Sequence, residues 1–284
     1  MQNKIKQKKI LAVFAHPDDE SFGMGGTLAY YARQGVDVYL VCATRGEAGE
    51  VDKSYLENDT DIAALREHEL RCAAEKLGIK EVFFLNYRDS GMQGSTDNEH
   101  PLALVNQPTA LVATKVAEYI TKLQPQVVVT FDPIGGYRHP DHIAIQKATV
   151  MAFDQVLNRS DVENDGEHYQ PEKLYFHTMP RGLMRFGVRL LKLIGRDPRK
   201  MGKNGDIDLV SITEVKFPTH ARVNYRAVAD IKKEASQCHS SQGGQQMSGG
   251  IMGWLSGLFG SRDTFMRAFP EFKKGEKIAQ DLFQ

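Results

Sequence analysis

Two short clusters of histidine and aspartate are the residues of this chain best suited to chemistry. The sequence HPDD at 16–19 offers one imidazole and two carboxylates, and HPDH at 139–142 offers two imidazoles and one carboxylate. Catalytic zinc sites use about three protein ligands of these types and keep one position for water. Neither cluster has the HExxH pattern of the zincin metalloproteases. The clusters therefore predict a metal-dependent hydrolase of another kind.

The elements that must position these clusters follow from the apolar pattern. Continuous apolar runs predict strands buried on both faces, and apolar residues three and four apart predict helices. The predicted strands are Ile10–Ala15, Val36–Ala43, Glu81–Leu85 and Val127–Phe131, and the predicted helices are 27–35, Ala63–Leu77, Thr109–Leu123 and Asp141–Val156. Their alternation predicts an α/β fold, a Rossmann-like, mostly parallel sheet with helices on both faces.

Polar sequences follow each of the four predicted strands. They are HPDDE, TRGEAGE, NYRDSGM and DPIGGYRHPDH, in that order. Because parallel sheets bind ligands at the carboxyl ends of their strands, we expect the four loops to meet at one rim.

Each cluster taken alone has a simpler explanation. An aspartate near a helix start is usually an N-cap, which applies to Asp141, and a single histidine in a loop usually satisfies local hydrogen bonds. Capping alone does not explain two such clusters at the same rim of one sheet. Mixed imidazole and carboxylate ligands favour zinc, with one ion expected per chain.

Length and composition are those of one large α/β domain, residues 1–284. The formal net charge is zero over 284 residues, so bulk electrostatics favours neither nucleic acid nor an anionic membrane. No apolar stretch approaches the ~20 residues of a membrane span, and the apolar run after the basic N-terminus is too short for a signal peptide. We expect a cytoplasmic protein with a small-molecule substrate.

The three cysteines are an odd number without a CxxC pair. Disulfides are therefore not expected, and we expect the protein to occupy a reducing compartment. Cys42 lies in an apolar run and Cys72 in a helical pattern, so both are predicted to be core residues. Cys238 has no evident base partner that would make it a nucleophile.

Two insertions into the domain are expected, about 155–206 and a Gly-rich flap at about 240–262. Within the first, Arg181–Lys203 is basic with interspersed apolar residues. It fits an amphipathic surface helix whose apolar stripe covers the core, or a basic rim near an anionic ligand. The apolar tip of the flap, Ile251–Phe259, could form a lid, a contact in a homo-oligomer or a weak membrane contact.

The chain resembles the LmbE-like/PIG-L family of zinc-dependent N-deacetylases, which act on N-acetylglucosamine-type groups. The resemblance rests on AHPDDE at 15–20, TRGEAGE at 44–50, YRDSGM at 87–92, DPIGGYRHPDHI at 132–143 and CHSSQ at 238–242. It covers roughly residues 9 to 243 and is closest to the longer bacterial members, such as the mycothiol-pathway deacetylase and amidase. It implies an LmbE-like fold for the domain.

The resemblance also implies roles for the two clusters. His16, Asp19 and His142 are expected to bind zinc, and Asp18 to act as the general base toward the zinc-bound water. Three further catalytic roles follow from the fourth motif. They are oxyanion stabilisation by His139 as an imidazolium, orientation of that imidazole by Asp141, and polarisation of the carbonyl or protonation of the amine by Tyr137.

Substrate contacts are expected from Arg66, Asp89, Arg45 and Glu47. For Arg66 an equally good interpretation is a helix-surface ion pair with Glu67 or Glu69. His239 ends a helical run, so it is either a cation near a helix C-terminus or a residue near the site.

Three hypotheses for function follow. The first is zinc-dependent removal of an N-acetyl group from a glucosamine-containing small molecule, with an amidase of thiol conjugates as a variant. The second is a metal-dependent phosphoesterase or nucleotide hydrolase, which often uses two metals ~3.5–4 Å apart. The third is a sugar-binding protein with a structural metal, which four protein ligands would close.

Overall fold

A computed structural model describes residues 6–56, 61–159, 169–179, 181–201, 205, 208–245 and 261–284 of the chain. Its strands are β1 (Lys9–Phe14), β2 (Asp37–Cys42), β3 (Glu81–Phe84), β4 (Val127–Phe131), β5 (Lys173–Thr178), β6 (Ala221–Asn224) and β7 (Arg262–Phe269). Its α-helices are α1 (Asp19–Phe22), α2 (Gly25–Arg33), α3 (Ile62–Leu77), α4 (Thr109–Leu123), α5 (Gly135–Arg138), α6 (Pro140–Leu157), α7 (Arg181–Leu193), α8 (Leu209–Glu214) and α9 (Ala229–Cys238).

The strands form one seven-stranded sheet in the order β3-β2-β1-β4-β5-β7-β6. The first five strands of that order are parallel, and β7 runs antiparallel to both β5 and β6. The four predicted strands and four predicted helices are present within two residues of their expected bounds. The predicted fold class, a mostly parallel α/β sheet with helices on both sides, is confirmed.

The order of the strands explains where a site must form. Within the sheet, β2 and β3 lie on one side of β1, and β4 lies on the other side of β1. The loops after β1 and β4 therefore diverge at this switch point and leave a crevice beyond the carboxyl ends of the two strands. β1 and β4 are almost wholly buried, which gives the loops a rigid base.

The helix that follows β4 begins at the second His/Asp cluster. His139 is the N-cap of α6, and its side chain accepts a hydrogen bond from the Asp141 amide. Pro140 occupies the first turn, where its missing N–H costs nothing. Asp141 is thus not the cap, which frees its carboxylate for other partners.

Two expectations about the later chain are corrected. The segment 155–206 contains β5, a strand inside the sheet, so part of it is integral to the fold. Within it, α7 is the predicted amphipathic helix, but its apolar stripe does not cover the core, because Phe186, Leu190 and Leu193 are exposed. The tip Ile251–Phe259 of the expected flap lies outside the described residues.

The expectation that disulfides are absent is wrong. Cys72 on α3 and Cys238 at the end of α9 are joined by a disulfide across 166 residues of sequence. Cys72 is half-buried beside this bond, whereas Cys42 is free and buried in the core as predicted. No helix among the described residues is long and apolar enough to cross a membrane.

Candidate active site

The expected ligands of the two clusters converge at the switch point. His16 Nδ1 lies 3.2 Å from His142 Nε2, and the Asp19 carboxylate lies 3.7 Å from His16 Nδ1 and 3.3 Å from His142 Nε2. The His16 amide also donates to Asp19 Oδ2 at 2.8 Å, which fixes this carboxylate inside the loop. Two imidazole nitrogens and both oxygens of the Asp19 carboxylate thus lie close together, contributed by two different loops.

The outer nitrogens of the two imidazoles have partners of their own. His142 Nδ1 lies 3.2 Å from the Gly135 carbonyl, so Nδ1 carries the proton and Nε2 presents its lone pair. His16 Nε2 lies 3.2 Å from Asp141 and 3.4 Å from Asp89. A carboxylate or carbonyl behind each histidine is the arrangement that orients imidazoles toward a metal.

Asp141 differs from its expected role. Its carboxylate contacts His16 instead of His139, and it accepts hydrogen bonds from the Ser90 amide at 2.9 Å and the Ser90 hydroxyl at 2.5 Å. Both Asp141 and Ser90 are fully buried. Ser90 belongs to the third loop, and it was not singled out in the sequence analysis.

Arg66 lies beneath Asp18 and not on the helix surface. Its guanidinium donates to Asp18 Oδ2 at 2.9 Å, to the Pro17 carbonyl at 2.6 Å and to the Gly46 carbonyl at 2.9 Å. The alternative of an ion pair with Glu67 or Glu69 is wrong. Arg66 is only 3% exposed, so its charge holds the loop that carries Asp18.

Gly46 explains why the second loop contains glycine. Its φ is +72°, and a Cβ there would lie 2.0 Å from a guanidinium nitrogen of Arg66. A side chain at this position would have to adopt a strained backbone and displace Arg66. The glycine of TRGEAGE therefore makes room for the guanidinium that supports Asp18.

The other residues expected to contact substrate divide into two groups. Asp89 is 4% exposed and faces His16, and its own amide donates to Glu47 at 3.0 Å. Arg45 is half-buried, pairs with Glu67 at 2.6 Å and lies over the ring of Phe84. Asp89 is thus part of the buried network, while Arg45 and Glu47 stay at the partly exposed rim.

Tyr137 and His139 line the same crevice from the fourth loop. The Tyr137 ring packs edge-on against His142 and His139, with centroid distances of 4.9 and 5.9 Å. Gly136, with φ +66°, precedes this tyrosine. The structure therefore brings Tyr137 and His139 together with the three expected ligands.

Asp132 sets the shape of that loop. Its Oδ1 accepts hydrogen bonds from the amides of Ile134 and Gly136, and its Oδ2 accepts one from Arg181 at 2.9 Å. Asp132 is fully buried and Arg181 is the first residue of α7. Neither residue was predicted from the sequence to be part of the site.

The electrostatics of the crevice is dominated by buried carboxylates. Burial raises the pKa of Asp19 to about 8, and burial also raises the pKa of Asp18 although Arg66 opposes that change. Burial and the neighbouring His16 lower the pKa of His139 to about 3. Burial alone would lower the pKa of His16, but Asp89, Asp141 and Asp19 raise it well above its ordinary value.

The donor set fits a tetrahedral zinc ion. Bonds of about 2.0–2.1 Å in a tetrahedral shell place ligand atoms about 3.3 Å apart, close to the observed 3.2, 3.3 and 3.7 Å. Among the described residues, the two groups of histidines and carboxylates that could hold a metal are His16/His139/His142 and His16/Asp89/Asp141. Both contain His16 and neither contains Asp19, so the fit of Asp19 rests on its distances to His16 and His142.

A comparison with known families decides the class of protein. Residues 11–153 match the sequence profile of PIG-L, described as GlcNAc-PI de-N-acetylase. The chain belongs to the PIG-L family. The match spans β1 to α6 and therefore contains both His/Asp clusters.

Curated relatives of this PIG-L protein are similar over most of its length. One from Acidothermus cellulolyticus is 36% identical over 83% of this chain and 80% of its own length. One from Thermobifida fusca is 33% identical over 84% of each. Both are called 1D-myo-inositol 2-acetamido-2-deoxy-alpha-D-glucopyranoside deacetylase. The predicted enzyme class, an N-deacetylase, is confirmed.

Solved structures share the fold at lower identity. N,N'-diacetylchitobiose deacetylase from Pyrococcus horikoshii has a TM-score of 0.62 at 21% identity, over 95% of this chain and 88% of its own. The 4-carboxy-2-hydroxymuconate hydratase of Pseudomonas putida has 0.60 at 17%, over 95% and 100%. Since a deacetylase and a hydratase are both similar, the fold alone does not give the reaction.

A buried pair of side chains, Glu20 and His239, lies next to the candidate site and was only partly predicted. Glu20 Oε1 lies 2.7 Å from His239 Nε2, and Glu20 Oε2 accepts a hydrogen bond from the Asp18 amide at 3.0 Å. His239 is the C-cap residue of α9 and its ring also lies beside the loop of Asp18, so both interpretations of His239 describe its position. The position of Glu20 in AHPDDE could have predicted such a pair. A third acidic residue buried directly after two aspartates needs a cationic partner.

Proposed function

We propose that this PIG-L protein removes the N-acetyl group of a glucosamine-containing small molecule, using a single Zn²⁺ held by His16, Asp19 and His142. The observation that carries the proposal is the convergence of two imidazoles and the Asp19 carboxylate, with 3.2–3.7 Å between their facing atoms and further partners behind both imidazoles. Three protein ligands leave a tetrahedral position open, which favours catalysis over a purely structural metal.

We assign the role of general base to Asp18. When bound, zinc polarises the acetyl carbonyl and lowers the pKa of water at the site. Asp18 is adjacent in sequence to the ligand Asp19, and the positive φ of +116° turns its backbone at the mouth of the crevice. Arg66 donates to one carboxylate oxygen at 2.9 Å, which limits the rotation of the Asp18 side chain.

We assign to His139 the donation of a hydrogen bond to the developing oxyanion. Its Nδ1 accepts from the Asp141 amide at 3.2 Å, so a neutral His139 carries its proton on Nε2. Burial is the main cause that lowers its pKa to about 3, and zinc bound to His16 would likewise oppose a positive charge on His139. We therefore assign the donor role to the neutral imidazole in place of the imidazolium expected from the sequence. Tyr137, edge-on beside it, covers the same face of the site.

Substrate recognition is assigned to the rim. Arg66 and Asp89 are engaged with Asp18 and His16, so we assign them to positioning the site instead of gripping hydroxyls. Arg45 and Glu47 stay partly exposed and remain candidates for sugar contacts. The names of the relatives make an N-acetylglucosaminyl inositol the first substrate to test.

The test is acetate release with metal content measured on the same samples. We expect acetate from at least one compound in a panel of N-acetylglucosaminyl inositol, malate, chitin-fragment, nucleotide-sugar and thiol-conjugate substrates, with one zinc per chain. Asp18→Asn should bind zinc as before and release acetate about 10²–10⁴-fold more slowly, the range for loss of a general base.

Other results would contradict the proposal. Full activity of Asp18→Asn at equal zinc content would exclude Asp18 as the base. Two metals per chain with phosphate release would favour the phosphoesterase hypothesis. If only thiol conjugates are cleaved, the substrate is the amide of a thiol conjugate and not an N-acetyl group, and the metal assignment is unaffected.

A further inference from the structure

Helix α7 carries an exposed apolar stripe. Phe186, Leu190 and Leu193 follow one another at helical spacing, and Ile194 continues the stripe just past the last turn. They are 64%, 49%, 83% and 61% exposed. Val188, on the opposite side of the helix, is buried at 7%. The helix is therefore attached by one face and presents a second apolar face outward.

The charges of this segment are all positive. Residues 181–196 contain five Arg and Lys and no Asp or Glu, in a chain whose formal net charge is zero. At 3.6 residues per turn, Arg189 and Lys192 fall along one edge of the stripe, and both are exposed. Arg196 and Arg199, also exposed, extend the positive region beyond the helix end.

We propose that α7 docks the protein on an anionic lipid surface. An apolar stripe bordered by cations is the pattern of a helix that lies in the plane of a membrane interface, where acyl chains receive the apolar side chains and anionic headgroups receive Lys and Arg. A helix of 13 residues is shorter than the ~20 needed to span a bilayer, so the contact is peripheral.

Other occupants fit the stripe less well. In a two-fold contact between copies of this chain, the same patch would meet itself and bring Arg189 and Lys192 close to their own equivalents. Nucleic acid would satisfy the cations but would leave Phe186, Leu190 and Leu193 without apolar partners. An anionic bilayer offers both kinds of partner in the same place.

Docking through α7 would bring the lipid surface near the rim of the site. Arg181 begins the helix and donates to Asp132, which in turn holds the Gly136 amide of the loop that carries Tyr137. Arg185, one turn further, donates to the Thr213 carbonyl of α8 at 2.9 Å. The helix is thus fixed at its N-terminal end to the catalytic loop.

The experiment is flotation of the full-length protein with vesicles. Wild type should bind vesicles of phosphatidylcholine containing about a third phosphatidylglycerol, and should bind pure phosphatidylcholine at least about tenfold more weakly. Leu190→Ser/Leu193→Ser should weaken binding by at least about tenfold, because two exposed side chains lose their transfer into lipid. Arg189→Gln/Lys192→Gln should weaken it by about 25-fold, at about fivefold per charge near the surface.

A matched control uses apolar residues that are equally exposed elsewhere. Leu102 and Leu111 are 62% and 50% exposed, so Leu102→Ser/Leu111→Ser should bind vesicles like wild type. Acetate release from a soluble substrate reports that each variant is folded. The proposal is overturned if wild type fails to bind anionic vesicles, if the control variant loses as much binding as the α7 variants, or if α7 variants only convert a dimer to a monomer.

Discussion

Glu20 and His239 form a fully buried ion pair, with 2.7 Å between Glu20 Oε1 and His239 Nε2. Burial opposes both charges, but each partner shifts the pKa of the other toward the charged form, lowering that of Glu20 and raising that of His239. The second oxygen of Glu20 holds the Asp18 amide. The pair therefore ties the end of α9 to the loop of the proposed general base.

Removal of one partner of this pair should be costly. We expect His239→Ala to lower the free energy of unfolding by about 3–5 kcal/mol, because Glu20 is left as a buried charge without its cation. Urea unfolding measures the loss. His68→Ala is the matched control, since His68 is exposed on α3 and should change stability by less than about 0.5 kcal/mol. Equal stability of the two variants would mean that the buried pair contributes nothing.

Arg66→Lys should reduce turnover while zinc stays bound. The guanidinium contacts Asp18, Pro17 and Gly46 with a planar fork that a lysine ammonium cannot reproduce. We expect kcat to fall about 10–100-fold, as for loss of other supporting residues at metal sites. Steady-state kinetics and metal analysis on the same sample separate this effect from loss of zinc.

The control for Arg66 lies one turn away on the same helix. Arg71 pairs with Glu67 at 2.6 Å and its side chain is 58% exposed. Arg71→Lys should leave kcat unchanged. If both substitutions are neutral, Asp18 does not depend on the guanidinium for its position.

Ser90→Ala should weaken zinc binding. The Ser90 hydroxyl donates to Asp141, and Asp141 faces the outer nitrogen of His16. Loss of this donor loosens the carboxylate that orients a ligand, and we expect about a tenfold lower affinity. Competition with a chelator measures it, and Ser54→Ala, at an exposed serine, is the control. If Ser90→Ala binds zinc as tightly as wild type, the hydrogen bond from Ser90 to Asp141 does not contribute to metal binding.

The residues that the sequence identified well lie next to continuous apolar strands. β1 and β4 are buried on both faces, so their ends, and with them the HPDD and HPDH clusters, could be placed at one rim. β6 and β7 are antiparallel strands near the sheet edge with mixed burial, and they lack such runs. They were not predicted, because β6 is only four residues long and the alternation of β7 does not continue along the strand.

The supporting partners were harder to predict than the ligands. His239 meets Glu20 across 219 residues of sequence, and Arg181 meets Asp132 across 49. No local periodicity connects such pairs, since tertiary packing alone brings them together. For the same reason Arg66 was expected either to contact substrate or to form a surface ion pair. Its helix could be predicted, but its contact with Asp18 could not.

The disulfide makes stability depend on redox conditions. Closing a loop of 166 residues between Cys72 and Cys238 should stabilise the fold by about 5 kcal/mol in the chain-entropy account. Cys72→Ala/Cys238→Ala should therefore unfold at lower urea than the oxidised wild type. Addition of dithiothreitol should lower the wild-type midpoint toward that of the variant and leave the variant unchanged. If dithiothreitol leaves the urea midpoint of the wild type unchanged, the disulfide does not form in solution.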